Sequence, residues 1–459
     1  MIKFLPLGGA GEIGASCFYL NIDDTGIILD CGLHPQKTGI EALPKFDLIK
    51  NLPLDYCLIS HAHQDHLSGV PFLVQKHPYI KIITTPQTRA ISELTLHNSI
   101  SIMKEQIEGE DNYIPNIEKI KIYSHEEVYL LIQSIDYKSY RNIFRLEGYN
   151  KKESIPITAE FFDAGHVLGS ASILIEYKGK KIFYTGDINL NDQALIKGAS
   201  LPKDKIDTLI LETTYGATDS SKLSHWKAES DRLAVEINKI LVNGGSVLIP
   251  VFSLGKMQEI LTVLWNLMVN KKLIQTDIFT GGIAQKISRV YDYNRYVVNM
   301  IDPQFEISSI PQKDLYEVEN PEIFFKNPCI VLAPSGMMIE NTASFYLAQY
   351  WIKQANSAIF TVGYMEKTTP GFKFASATQG SIIEIGIYSE QVKCKIKNFR
   401  FSAHSRREDL LEIVKRLKPK NVILVHGDKL AINWMSSSLL KEFEDIKLHV
   451  AEIGKQIIL

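Results

Sequence analysis

Several short apolar runs in this chain stop at a residue able to bind a metal or move a proton, and that recurrence constrains the fold more than any other feature. Asp30 closes GIILD, His61 follows YCLIS, Asp187 follows KIFYTG, Glu212 ends DTLILE and His426 follows NVILV. Runs of this length and β-branched content read as strands. In an α/β sheet, loops converge at the carboxyl ends of strands over a rigid base, and sites assemble there. A fold that gathers these strand ends is therefore expected.

The rest of the chain supports that class. Residues 2 to 31 read as short strands separated by Gly and Asp turns, and from about residue 45 strands alternate with helices: DYCLIS, KIITT, then a long periodic stretch from Thr88 to Ile107. Such alternation indicates α/β architecture. A further α/β stretch spans Tyr215 to Val392, with the strand SVLIPVF and an amphipathic helix after Gly255, and the last segment reads as strand NFRFSAH, helix Arg407 to Leu417, strand NVILVHG. The polar, aromatic segment Gly109 to Asn150 gives no assignment. Gly9, Gly11 and Gly14 have the spacing of a dinucleotide-binding loop, but the following SCFYLNI–DDTG–GIILD reads as a β-hairpin and not as the helix that motif requires.

The densest chemistry is SHAHQDH. Alternation along an extended segment sends His61 and His63 to one side, where both imidazoles can bind one ion, while Asp65 and His66 turn toward a second. Imidazole nitrogen and carboxylate oxygen suit zinc. Further ligands must come from a distance: His166 in the Gly-flanked turn FFDAGHVLGSAS, Asp187 in YTGDIN, where a carboxylate could bridge two ions, and His426 in LVHGD to complete the second.

Composition narrows the classes. The 459 residues are 45% hydrophobic and 22% charged, with 50 Lys plus Arg against 52 Asp plus Glu, so the chain can bury a large core and does not coat nucleic acid through overall charge. Its five cysteines are scattered, never CxxC, and suggest neither a disulfide framework nor a thiolate zinc site. With no long apolar leader or apolar stretch of spanning length, a cytoplasmic protein without membrane contact is expected.

The order Asp30, HAHQDH (61 to 66), His166, Asp187 resembles the four motifs of the metallo-β-lactamase superfamily, and the continuation resembles its β-CASP branch of nucleases. LETTYG supplies Glu212, FSAH supplies His404 and LVHGD supplies His426 as that branch's added motifs, with further matches in IPVFSLGKMQE, APSGM and VGYMEKTTPG. The resemblance spans almost the whole chain. It implies a metallo-β-lactamase αββα sandwich from roughly residues 1 to 214 and 395 to 459, with a β-CASP α/β domain at 215 to 394 inserted between and the active site in the cleft between them. Glu340, Asn341, Thr342, Thr368, Arg406 and Lys256 depart from the branch's usual residues and leave the metal motifs intact.

The resemblance implies a zinc-dependent ribonuclease. Two zinc ions about 3.5 to 4 Å apart activate a water for in-line attack on a phosphodiester of single-stranded RNA, leaving 5′-phosphate and 3′-hydroxyl. His61, His63, Asp65, His66, His166, Asp187 and His426 are the expected ligands. His404 is the expected acid for the departing 3′-oxygen, oriented by Glu212, and Asp65 joins these two among the expected catalytic residues. Cleavage is expected to be endonucleolytic, with 5′-to-3′ exonucleolytic activity and a homodimer both left open. Lys393, Lys395 and Lys397 present either a basic stripe for substrate or the charged edge of a sheet. The alternatives are a DNA nuclease, disfavoured by His426, and a non-catalytic scaffold subunit, disfavoured by the full ligand set.

Overall fold

The computed structural model describes residues 2–110, 121–148, 155–363, 365–385 and 388–459. These form two compact units, the first comprising Met1–Asn191, Gly198–Ser220 and His404–Leu459, the second Asp192–Lys197 and Ser221–Ala403.

The first unit is built on two seven-stranded sheets. In one, Ile2–Gly8, Cys17–Ile22 and Thr25–Leu29 form an antiparallel meander, and Tyr56–Leu58, Lys81–Thr84 and Asp136–Tyr137 then add in parallel. The hairpin expected after the glycines is present, and Pro86–Glu110 forms the long helix expected around Thr88. The segment left unassigned by sequence contains the helix His125–Ser134 and the strands Asp136–Tyr137 and Phe144–Leu146, and the remainder of it lies partly outside the described residues.

In the other sheet, Lys180–Tyr184, Thr208–Glu212, Asn421–Val425 and Lys447–Val450 run parallel, continued on one side by antiparallel Ala171–Tyr177, Ile157–Asp163 and Phe144–Leu146. Side chains alternate between faces with period two. Ile210, Ile423 and Val425 join Phe4, Phe18, Leu29 and Leu58 in a core between the sheets. Leu209, Leu211 and Leu424 face the other way, onto Leu410, Ile413, Ile432 and Met435 of the helices Arg407–Leu417 and Lys429–Glu442. Ile28, Cys57 and Ile82, which point away from the inter-sheet core, are buried as well. Both outer faces are therefore buried, one of them under these two helices, and burial on both sides explains why these strands read as continuous apolar runs.

The second unit carries a six-stranded, all-parallel sheet in the order Lys313–Asp314, Asp277–Thr280, Cys329–Ala333, Val247–Pro250, Ala358–Thr361, Lys395–Asn398. From Val247–Pro250 the chain goes to strands on one side and later to strands on the other, so the order reverses at this strand. The helix Lys256–Val269 is buried at every position from Lys256 to Leu264 and again at Leu267 and Met268, which corrects the amphipathic reading of that segment. Lys395–Asn398 lies at the sheet edge, with Lys393 and Lys395 exposed and Lys397 Nζ 2.5 Å from Glu236. That is the arrangement of a charged edge strand. The strand expected at NFRFSAH ends at Asn398, and because it pairs with Ala358–Thr361, residues up to Ala403 belong to this unit.

Residues 192–197 join this unit through a buried carboxylate. Ala194 N and Leu195 N donate to Glu259 Oε2 at 2.7 and 2.8 Å, Lys197 N to Asn299 O at 2.9 Å, and Ile301 N to Leu195 O at 2.7 Å. Burial pushes the Glu259 carboxyl up to about 7 against these donors and Lys256, while burial brings Lys256 down to about 8. The Lys256 ammonium donates to Phe401 O and lies over the Trp226 ring.

Candidate metal centre

In the first unit the parallel strands end in step, with Leu29, Leu58 and Ile83 in register in one sheet and Glu212 paired with Val425 in the other. Asp30, His61, Asp187, Glu212 and His426 all follow or close such ends. Sharp backbone turns aim several of them. Asp30 and His426 adopt the left-handed conformation (φ +58° and +49°), which non-glycine residues rarely hold without support. For His426 the support includes its N–H, which donates to Gly9 O at 2.8 Å. The glycine loop that mimics a nucleotide motif is thus a strut of this centre. Ser16 N likewise donates to Asp65 O, and a Cβ on Gly32 would lie 1.8 Å from that same oxygen, so only glycine fits under the turn.

Buried hydroxyls and carboxylates fix the imidazoles. Asp30 accepts from Ser60 N (2.6 Å), Ser60 Oγ (2.7 Å), Tyr184 OH (2.6 Å) and His66 Nδ1 (2.8 Å). His66 therefore presents Nε2 to the centre. Because the Ser60 proton is given to Asp30, the 3.0 Å contact from His61 Nδ1 to Ser60 Oγ must be donated by the ring, which leaves His61 Nε2 with a lone pair. Such partners set tautomer and basicity in metal sites.

The donor atoms fall into three groups, each within 4.8 Å: His61, His63, His166 and Asp187; Asp65, His66 and His426; and Asp187, Glu212 and His404. His63 Nδ1 lies 3.0 Å from His61 Nε2 and 3.1 Å from His166 Nε2. Asp187 joins the first two groups, since its Oδ2 is 3.6 Å from His61 Nε2 and from His166 Nε2, and its Oδ1 is 3.4 Å from His66 Nε2 and 3.3 Å from His426 Nδ1. That Oδ1 is buried and accepts no hydrogen bond. Two sets of nitrogen and oxygen donors converging on one shared carboxylate fit a pair of divalent ions.

Beside them, Glu212 Oε1 is 3.0 Å from His404 Nδ1 and also accepts from Ile188 N at 2.9 Å, while Oε2 accepts from Thr214 N at 3.1 Å. Burial would raise the Glu212 carboxyl, but His404, with His426 and Thr214, holds it at about 2. Burial would lower His404, but the Glu212 carboxylate keeps it raised. The His404 ring lies 4.6 Å from that of His166, tilted at 53° to it, and its side chain is 19% exposed. With Nδ1 turned to Glu212, Nε2 is the ring nitrogen directed away from that carboxylate.

Each ligand expected from sequence lies in one of these groups, and the expected pair Glu212 and His404 is in contact. The partners Ser60 and Tyr184 gave no sequence signal: each is an ordinary strand or turn residue whose hydroxyl acquires a role only when the strands come together.

Comparison with known proteins agrees in order and extent. Residues 10–218 match the metallo-beta-lactamase superfamily, 257–374 the Beta-Casp domain, and 389–451 a Zn-dependent metallo-hydrolase RNA specificity domain. The chain is 30% identical to an RNase J-like protein of Methanocaldococcus jannaschii, covering 92% of this chain and 91% of that one. It is 29% identical to cleavage and polyadenylation specificity factor subunit 3 of Dictyostelium discoideum, covering 98% of this chain but only 56% of that one. A protein of unknown function from Enterococcus faecalis V583 shares the fold (TM-score 0.57, 13% identity, 100% of both chains). Among the described residues no helix is long and apolar enough to cross a membrane. With a sandwich, an inserted parallel-sheet unit and these matches in one order, the chain belongs to the β-CASP ribonuclease family of the metallo-β-lactamase superfamily, a family of metal-dependent hydrolases.

Proposed function

We propose that this chain hydrolyses phosphodiesters of single-stranded RNA with two zinc ions, leaving 5′-phosphate and 3′-hydroxyl, endonucleolytically and with accompanying 5′-to-3′ exonucleolytic activity. The observation that carries the proposal is Asp187, whose two oxygens face separate donor groups, one of them buried without a hydrogen bond. His61, His63, His166 and Asp187 would hold one ion, and Asp65, His66, His426 and Asp187 the other. Bound there, zinc supplies Lewis-acid polarisation of the phosphate and lets a solvent water act as nucleophile near neutral pH.

The chain's own residues do the rest. Asp30 and Ser60 hold the imidazoles of His66 and His61 with their lone pairs inward. His404, kept protonated by Glu212, gives a proton to the 3′-oxygen as its bond to phosphorus breaks. The new bond to phosphorus comes from water, so the ribose 2′-hydroxyl takes no part. RNA as the substrate is supported by the match of residues 389–451 to an RNA specificity domain and by the names of the relatives.

The test is incubation of zinc-loaded protein with matched single-stranded RNA and DNA, internally and end labelled, followed by sizing and end-group analysis. RNA cut faster than DNA, with 5′-phosphate ends, is expected. DNA cut at least as fast, or 2′,3′-cyclic phosphate ends, overturns it.

A further inference from the structure

The second unit carries an aromatic side chain where a ligand-binding sheet would place one. Phe252 lies just past the strand Val247–Pro250, at the carboxyl end of the strand where the order of the parallel sheet reverses. Crevices at such reversal points are where open α/β sheets bind ligands. Its neighbour Val251 is fully buried, whereas Phe252 is 37% exposed.

The ring is rigidly mounted. A Cβ on Gly336 would lie 2.8 Å from Phe252 Cδ2, 3.0 Å from Cε2 and 2.9 Å from its backbone nitrogen, so one flank of the ring rests on a residue that has no side chain. The loop under it is itself pinned, with Ser344 N on Pro334 O at 2.7 Å, Ser344 Oγ on Ser335 O at 2.6 Å and Gly371 N on Met337 O at 2.9 Å. Four backbone donors near Phe252 are engaged within the unit: Val251 N on Ala333 O, Gly255 N on the Gln258 side chain, Lys256 N on Leu254 O and Met257 N on Phe252 O. This loop therefore offers a fixed aromatic surface. Tyr293, 85% exposed, sits late on a helix and not at a strand end.

We propose that Phe252 is a base-stacking residue that positions single-stranded RNA on the second unit. This rests on the RNA-hydrolase reading above and adds a specificity element to it. A fixed ring holds any base by its face, because every base has one. Phe252 accordingly makes the enzyme depend on the presence of a base at one substrate position and tolerate its identity.

The experiment measures steady-state cleavage of a short single-stranded RNA by wild type, Phe252→Trp, Phe252→Leu and Phe252→Ala, with an abasic nucleotide stepped along the substrate. Stacking on one aromatic residue predicts a KM raised about 5- to 100-fold in Phe252→Ala with kcat little changed. Phe252→Leu, which keeps apolar bulk, stays impaired, and Phe252→Trp restores binding. One abasic position reproduces the loss in wild type and adds nothing in Phe252→Ala, as coupled partners do. Should Phe252→Ala fail to fold, the Leu and Trp variants carry the comparison. Equal KM for Leu and Trp, or an abasic scan identical in wild type and the Phe252 variants, overturns the assignment while leaving RNA hydrolysis standing. If wild type neither binds nor cuts RNA, both readings fall together.

Discussion

In both units parallel strands end beside loops, yet the residues just beyond those ends differ. In the first unit the strands give way to Asp30, His61, Asp187 and His426, or close on Glu212, all of them buried. In the second they run into Val251–Phe252, Gly281–Gly282, Pro334–Ser335 and Val362–Gly363. Among the described residues, every group able to hold a metal lies in the first unit. Topology makes a place where loops gather, and residue type decides whether that place does chemistry or only holds something. Acidic and imidazole groups survive burial in the first unit because each is answered by a donor or by a converging ligand set.

The sharpest way to break this contrast is Asp187→Ala. If one carboxylate serves both donor groups, its loss should lower metal content at both and take RNA cleavage to background. Elemental analysis of protein prepared without chelator checks it, and retention of a full complement of metal would show the two groups to be independent.

His404→Ala should keep its metal and lose about 10²- to 10⁴-fold in turnover. A substrate with sulfur in place of the departing 3′-oxygen needs no proton there and should largely rescue the variant. Equal loss on both substrates would remove His404 from proton transfer. Glu212→Gln should fall in the same direction but less far, and the double variant should be little worse than His404→Ala alone.

Smaller still is the expectation for Asp30→Asn, which leaves the ligands in place but disturbs the hydrogen bond to His66 Nδ1. A loss of about 10- to 100-fold in metal affinity is expected, measured by competition with a chelator.

The smallest effect lies in the second unit and concerns pH. Burial raises Glu259 from its ordinary value to about 7. The folded state therefore binds more protons than the unfolded one between about pH 4.5 and 7, and stability conferred by protonated Glu259 is lost as pH rises through that window. Glu259→Gln, which stays neutral and can still accept from Ala194 and Leu195, should flatten that decline, shifting the apparent melting temperature by a few degrees at about pH 7.5 and hardly at all at pH 5. Parallel pH profiles for the two proteins would show that Glu259 does not titrate there.

Much of the first unit was legible because its ligands are marked twice, by residue type and by their position at the ends of apolar runs. SHAHQDH needs no tertiary information to suggest a metal. Ser60 and Tyr184 were not legible, since their roles depend on two sheets bringing separate strands to Asp30. The second unit gave less. Lys256, Gln258 and Glu259 look like the polar face of a surface helix, and only the structure shows their charges and amides turned inward onto backbone groups. Nor does anything in DQALIK distinguish residues 192–197 from the turn residues on either side, although they belong to the other unit.

That brief crossing means that the inserted unit is not a cassette. Excising residues 221–403 would carry off Glu259 without the two amides it binds and strand Asn299 and Ile301 without their partners, while the remaining chain kept a six-residue loop with nothing to close on. On a ribosome, the same loop emerges well before the helix bearing Glu259, so it must wait for later sequence before its backbone is satisfied. A gene fusion or deletion that respects only the two obvious junctions would cut a stitch that neither junction reveals, and a successful transplant of this unit must carry the short loop along with the long insertion.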